Sequence, residues 1–384
     1  MSASKPIVIV GTGLAGYSLA REFRKLNKDT PLVLITRDDG HSYSKPMLST
    51  GFTKQKDADA LSMGDPGKMA EQLQADIRIF TEVSAINTDE KTLDLGGETI
   101  EYDKLVLASG AKVNRLEFPG SHLDRVVSIN DLMDYRRFRQ LVAGKQHILI
   151  MGAGLIGCEY ANDLREGGYE VTIVDPSETP LNGLIPPFAG EALQQGLVQA
   201  GVAINMGKYV VSITETGDHL CAELNDGTTI DCDVVISAIG LKPDLHLAEQ
   251  AGITCARGII TDRTLQTSAK DVYAIGDAAE VAGLVLLYVL PLMACARALA
   301  RTLNGEITQV SYGVMPVVTK TPACPVVVAP PVRPSGSWQI VEKNGIHIKA
   351  LFIDEQEQPL GFVLTGDCTK EKQSLSKTVP NLLV

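Results

Sequence analysis

The feature that most constrains this chain is a phrase written twice. Ile7-Val-Ile-Val10, a short β-branched run, gives way to Gly11-Thr12-Gly13-Leu14-Ala15-Gly16, and His147-Ile-Leu-Ile-Met151 gives way to Gly152-Ala-Gly154-Leu155-Ile156-Gly157. Each glycine loop leads into a helix-like segment, over 14–26 and 155–167. Each helix gives way to a further apolar strand, Leu32 to Ile35 and Val171 to Val174. Strand, loop, helix and strand in that order predict an α/β fold with two Rossmann-like units.

A second echo supports the first. The stretch 102–110, with Ala108-Ser109-Gly110 at its end, matches 232–240, which ends at Gly240. Both carry an Asp, an apolar strand, Ala, one residue and then Gly. A third closing run, Val272-Tyr-Ala-Ile-Gly276-Asp277, lies beyond the second half. The expected organisation is therefore a discontinuous first domain (1–111 and 241–309), a second domain inserted in it (112–240), and a small C-terminal α+β domain (310–384). In the last of these, strand-like runs fall at 325–329, 346–353 and 360–364. At 384 residues the chain is long enough for two or three cores.

The glycine spacing has a chemical reading. A dinucleotide pyrophosphate is negatively charged and must approach backbone N–H groups closely. The first glycine permits the tight turn, the second leaves room for the phosphates, and the third lets helix and strand pack. The helix N-terminus adds roughly half a positive charge. After the second loop the strand ends at Asp175, an acceptor for both ribose hydroxyls that would repel a 2′-phosphate, so this site should prefer NADH to NADPH. After the first loop the equivalent position is Thr36, followed by Arg37, and both are expected beside the adenosine of a nucleotide.

Bulk composition mainly excludes. A net charge of −11 argues against a general nucleic-acid binder. The N-terminal residues lack the apolar run of a secretory signal. The uncharged stretch from Val281 to Ala296 is shorter than a span and contains Pro291, so it reads as a buried loop followed by a helix starting at Pro291, with no membrane insertion. The seven cysteines are scattered without a Cys-x-x-Cys, which fits free thiols in a reducing cytoplasm. The six histidines are widely spaced, so no metal site is expected.

Together the paired loops, the Ala108-Ser109-Gly110 turn and the Ala274-Ile-Gly276-Asp277 segment resemble the FAD-dependent pyridine-nucleotide–disulfide oxidoreductase superfamily, from about Pro6 to Leu303. Within that span, Tyr43-Ser-Lys45-Pro-Met-Leu-Ser49 is similar to the signature of reductases that serve small iron proteins. Those serving rubredoxin are the most similar, and those serving flavorubredoxin are similar as well.

The resemblance implies FAD on the first domain, with Ser109, Gly110, Gly276 and Asp277 around it and Asp277 accepting from ribityl hydroxyls. It puts Lys45 at the reactive flavin edge, paired with Glu159. It has Val83 giving backbone hydrogen bonds to adenine from a strand over 79–86. The helix near Pro291 would point its N–H groups at the flavin pyrimidine, with Val289 in backbone contact and Lys320 reaching in from the C-terminal domain. NADH would lie along the second loop, between Gly152 and Gly240.

Relatives that relay electrons through cysteines need one in the first domain or a Cys-x-x-Cys in the second. No cysteine precedes Cys158 here, and there is no such pair. The implied cycle is therefore hydride transfer from NADH to FAD, then single electrons directly to rubredoxin or a similar iron carrier, docked on Lys45, Lys320 and Arg297. A ferredoxin reductase component of an oxygenase stays open, with the short C-terminal region against it. A slow FAD/NADH-binding redox sensor, from a different class, also stays open. The use of the electrons, alkane hydroxylation or reduction of oxygen or nitric oxide, is not written in the chain.

Overall fold

In a computed structural model, which describes residues 4–384, both predicted phrases are present almost to the residue. The strands Ile7–Val10, Leu32–Ile35 and His147–Met151 and the helix Leu14–Leu26 have the expected bounds; the second helix is Leu155–Glu166 and its following strand Glu170–Asp175. The chain divides into two compact units. One is Met1–Lys45, Ala60–Lys112 and Leu241–Tyr312; the other is Pro46–Asp59, Val113–Gly240 and Gly313–Val384.

The first unit holds a five-stranded parallel sheet, in the order Val272–Ala274, Lys104–Leu107, Ile7–Val10, Leu32–Ile35, Asp76–Arg78. The first strand in sequence thus lies between the second and the closing strand. That is the switch point at whose carboxyl end an α/β sheet binds ligands. An antiparallel meander, Ala85–Asn87, Thr92–Asp94 and Thr99–Glu101, leads into the closing strand. The helices Leu14–Leu26 and Val289–Leu303 pack together.

The second unit repeats the plan. Its parallel sheet runs Val126–Val127, Val234–Ser237, His147–Met151, Glu170–Asp175, Ala203–Met206. Its meander, Val210–Thr216, His219–Leu224 and Thr229–Cys232, packs onto the sheet through Leu149, Met151, Ile213 and Leu220. The C-terminal residues add an antiparallel five-stranded sheet ordered Val317–Thr319, Val326–Ala329, Pro359–Thr365, His347–Ile353, Ser337–Asn344. Short turns of helix near Cys368 and Leu375 close its core. Ser337–Asn344 has no alternating apolar pattern because it is an edge strand with both faces largely exposed, and sequence periodicity did not reveal it.

Three expectations need correction. Helix Val289–Leu303 starts two residues before Pro291, with Tyr288 as its N-cap. Proline is tolerated anywhere in a first turn because those N–H groups have no intrahelical partner, so it does not fix the first residue. The loop before it is not buried: Ala282 and Gly283 are exposed and 284–288 half-buried. The run 79–86 is not one strand either, since pairing stops at Arg78 and resumes at Ala85.

Pro46–Asp59 falls in the second unit. Within that unit Phe52 packs edge-on against Tyr135, Phe138 and Tyr169, and the Phe52 and Thr53 N–H groups donate to Asp163 at 3.0 and 2.8 Å. A buried aromatic in its cluster and a carboxylate with two charge-assisted hydrogen bonds are a strong local anchor. Among the described residues no helix is long and apolar enough to cross a membrane.

Candidate nucleotide-binding sites

In the first unit, a methyl group added at Gly16 would lie 1.9 Å from the Gly11 carbonyl oxygen, and one added at Gly11 (φ +115°) would lie 2.3 Å from that of Ala108. At Gly13 it would meet nothing within 4 Å. Two glycines are thus demanded by the protein's own backbone, while the middle one opens on space. Gly13 is also the N-cap of Leu14–Leu26 and offers no side chain, so the first N–H groups, at Leu14, Ala15 and Gly16, have no capping acceptor. An anion is the natural partner.

Gly276, at φ +76°, brings its turn against Ala15, where a methyl group would lie 2.7 Å from the Ala15 Cβ. That sets Asp277 beside the first loop. Burial raises the pKa of Asp277, partly opposed by the Lys45 ammonium, and among the described residues its carboxylate accepts no hydrogen bond. A half-buried acceptor without a donor suits a polyhydroxyl chain. The helix Val289–Leu303 likewise has no side-chain cap, and Val289 is its exposed first residue. Lys45 opens a 3-10 turn, Lys45–Thr50.

Val83 is buried between two strands, and among the described residues its N–H and carbonyl have no hydrogen-bond partner. Around the closing strand, the Ser109 hydroxyl donates to the Asp244 carbonyl at 3.0 Å, and the Asp244 N–H donates to Gly110 at 3.0 Å. The Asp244 carboxylate holds Lys112 at 2.7 Å and Arg37 at 3.8 Å.

Sequence reasoning missed Asp38. Its Oδ1 accepts from the Thr36 hydroxyl at 2.7 Å, the Gly40 N–H at 2.9 Å and the Thr12 hydroxyl at 3.3 Å. The readable signal was an acid two residues beyond the position where one was sought.

The second unit shows the same backbone logic. A methyl group at Gly157 would lie 1.9 Å from the Gly152 carbonyl oxygen, one at Gly152 2.5 Å from that of Ala238, and one at Gly154 would meet nothing within 4 Å. Leu155–Glu166 starts without a side-chain cap, with Leu155 half-buried and Ile156 exposed. Asp175 Oδ2 accepts the Ala153 N–H and Oδ1 the Ser177 N–H, both at 2.7 Å, which fixes the carboxylate at the lip of the loop. Gly240, at φ +102°, ends the closing turn, and its carbonyl accepts the Asn114 N–H at 3.0 Å.

Glu159 lies one turn into this helix and is 3% exposed. Its Oε1 accepts the Lys320 N–H at 2.9 Å, and its Oε2 accepts the Ser49 hydroxyl at 2.6 Å and pairs with the Lys320 ammonium. One turn on, Asn162 accepts the Ala323 N–H at 3.0 Å and Asp163 takes Phe52 and Thr53. One buried helix face thus holds two chain segments by their backbone donors, and only Glu159 of the three had been singled out from the sequence. Lys45 and Glu159 belong to different units.

All seven cysteines are free. Burial pushes the thiols of Cys295 and Cys324 up to about 11 and that of Cys232 to about 12, and raises Cys158, whose Sγ donates to the Ala153 carbonyl at 3.2 Å. None of these is a thiolate at neutral pH.

Comparison with known proteins fits this geometry. The chain is 51% identical over 381 residues to a rubredoxin-NAD(+) reductase from Alcanivorax borkumensis, covering 98% of this chain and 99% of that one. It is 45% identical to a rubredoxin-NAD(+) reductase from Acinetobacter baylyi, covering 98% of each. Among solved structures it is similar to a ferredoxin reductase from Rhodopseudomonas palustris, with a TM-score of 0.88, 25% identity, and 98% and 96% of the two chains covered. Residues 309–379 match the family described as rubredoxin binding C-terminal domain. The two glycine loops, each with its own uncapped helix, lie inside the match over residues 5–318, and the chain belongs to the pyridine nucleotide-disulphide oxidoreductase family.

Proposed function

We propose that this protein is an NADH-dependent flavoprotein reductase that passes electrons singly to rubredoxin. The observation that carries the reading is the match of residues 309–379 to a rubredoxin-binding domain, on a chain that elsewhere holds two nucleotide loops. FAD, when bound, accepts electrons in a pair and gives them up one at a time.

The N–H groups of Leu14, Ala15 and Gly16 bind the FAD pyrophosphate across Gly11, Thr12 and Gly13. Asp277 accepts from the ribityl hydroxyls, with Gly276 holding its turn. Val83 offers its free N–H and carbonyl to adenine, with Thr36 and Arg37 at the adenosine and Ser109 and Gly110 at the closing turn. The uncapped start of the helix at Val289 would favour negative charge on a bound flavin through its dipole.

NADH lies over Gly152, Gly154 and Gly157, against Leu155, Ile156 and Gly240, with Asp175 accepting from its ribose hydroxyls. A 2′-phosphate would set about two negative charges against that carboxylate, so NADPH is the poorer donor. Lys45 acts at the flavin edge. The Lys45 ammonium offsets arriving negative charge, and Glu159, fixed by Ser49 and Lys320, holds the Lys320 ammonium in place. With its buried thiols protonated, the chain has no cysteine relay, and electrons leave directly for the partner, drawn by Lys45, Lys320 and Arg297. Arg297 is exposed on its helix. Seven free thiols suit the cytoplasm.

A ferredoxin acceptor is the second reading, favoured by the likeness to the R. palustris reductase. Steady-state NADH oxidation with rubredoxin or with a [2Fe–2S] ferredoxin as acceptor separates the two. A kcat/KM for rubredoxin at least about tenfold above that for ferredoxin supports the first, and the reverse order refutes it.

A further inference from the structure

We infer that Asp38 is the acceptor for the adenosine ribose of the dinucleotide in the first unit, doing two residues downstream what Asp175 does at the second loop. This rests on the reading of that unit as the FAD site.

The argument starts from the bonds of Asp175. Its carboxylate joins the middle residue of the glycine loop, through the Ala153 N–H, to the turn beyond the strand, through the Ser177 N–H. By strand position the counterpart of Asp175 is Thr36, which has no carboxylate. Asp38 nevertheless makes the equivalent bonds. It takes the hydroxyl of Thr12, the middle residue of Gly11-Thr12-Gly13, and the N–H of Gly40, two residues on, as Ser177 is two residues beyond Asp175. The longer reach from position 38 is closed because Thr12 offers a side-chain hydroxyl where Ala153 offers only its backbone.

Thr36 supplies the third bond, at 2.7 Å. All three donors converge on Oδ1, and among the described residues Oδ2 has no hydrogen-bond partner. Thr12 and Thr36 are 2% and 6% exposed, whereas Asp38 is half-exposed. The threonines therefore turn the carboxylate and the carboxylate meets the ligand. With its proton committed to Asp38, Thr36 is a positioning residue rather than a donor to the nucleotide. A carboxylate oxygen with open lone pairs matches a ribose diol, which brings two O–H donors. A simple Asx turn would explain the Gly40 bond alone. It would not require the Thr12 hydroxyl, 26 residues away, to end on the same oxygen.

The test is the rate at which FAD leaves the purified holoenzyme, read as the rise in flavin fluorescence after dilution, alongside the KM for NADH. Asp38→Asn should release FAD about tenfold faster and Thr36→Val about threefold faster. The KM for NADH should not move, because the Asp175 site is untouched. Release from Asp38→Asn at the wild-type rate overturns the inference. So does a rise in the NADH KM that matches the loss of FAD, since that is general loosening. Should Asp38→Asn fail to fold, Thr36→Val alone decides, with faster release supporting and an unchanged rate overturning. Wild-type protein that purifies without flavin refutes the FAD reading itself, and no variant is needed to see it.

Discussion

The first and second glycine loops are alike where the protein touches itself and where a phosphate would lie, and differ in the acid that would meet a ribose. In both, the third glycine faces the carbonyl of the first at the same 1.9 Å from an added methyl, and the middle one faces open space. The acids that complete the two loops stand at different sequence positions. One is held through the N–H of Ala153 and the other through the hydroxyl of Thr12. Backbone against backbone leaves one solution, whereas a hydroxyl diol can be met by any acceptor within reach.

The largest effect that can break this comparison is steric. Gly16→Ala and Gly157→Ala put a Cβ well inside contact with a carbonyl, at a cost of about 3 kcal/mol or more. Gly13→Ala and Gly154→Ala should fold with near-native thermal stability yet lose FAD and NADH binding respectively. Soluble, flavin-loaded Gly16→Ala protein would show that the tight approach is not required.

Next is the buried cluster of the second unit. Glu159→Gln leaves the partly exposed Lys320 ammonium without its counter-charge, and kcat should fall roughly 100-fold through loss of that positioned charge. Ser49→Ala, which removes one neutral hydrogen bond, should cost only about fivefold in kcat. Equal effects for the two would mean that the carboxylate matters only as a hydrogen-bond acceptor.

A smaller change sharpens the contrast between the acids. Asp175→Asn should raise the KM for NADH about tenfold while FAD stays bound at the wild-type rate. Loss of flavin from this variant would mean that the loops are not separate sites.

The smallest effect is on stability. The folded-state pKa of Asp277 is raised above 3.8, so its ionised form is penalised at neutral pH, and stability is greatest below the unfolded pKa and falls as pH rises through the folded one. Asp277→Asn should therefore raise the Tm of flavin-free protein by about 2 °C at pH 7 and lose that advantage below about pH 4. Calorimetry at the two pH values checks it, and an advantage independent of pH would deny that burial of charge is the cause.

What was legible in the sequence follows the same division. The loops, their helices and the flanking strands could be read because glycine spacing and apolar runs are steric demands. The 79–86 run misled because its apolar residues suited a strand, although pairing stops at Arg78 and Val83 keeps its backbone free. Asp163 and Asn162 were hidden on a helix with no polar pattern to mark them, since what they hold is backbone of segments far off in sequence. The edge strand Ser337–Asn344 lacks alternation for want of a buried face. Asp38 was overlooked because an acid was sought at one strand position rather than at one place in space.

The most direct measurement of the central claim is an anaerobic titration of the purified protein followed through its visible flavin absorbance. One equivalent of NADH should bleach the flavin bands, and oxidised rubredoxin added next should restore them within the mixing time of a stopped-flow instrument. Bands that NADH leaves unchanged, or that rubredoxin restores no faster than buffer does, would contradict the account.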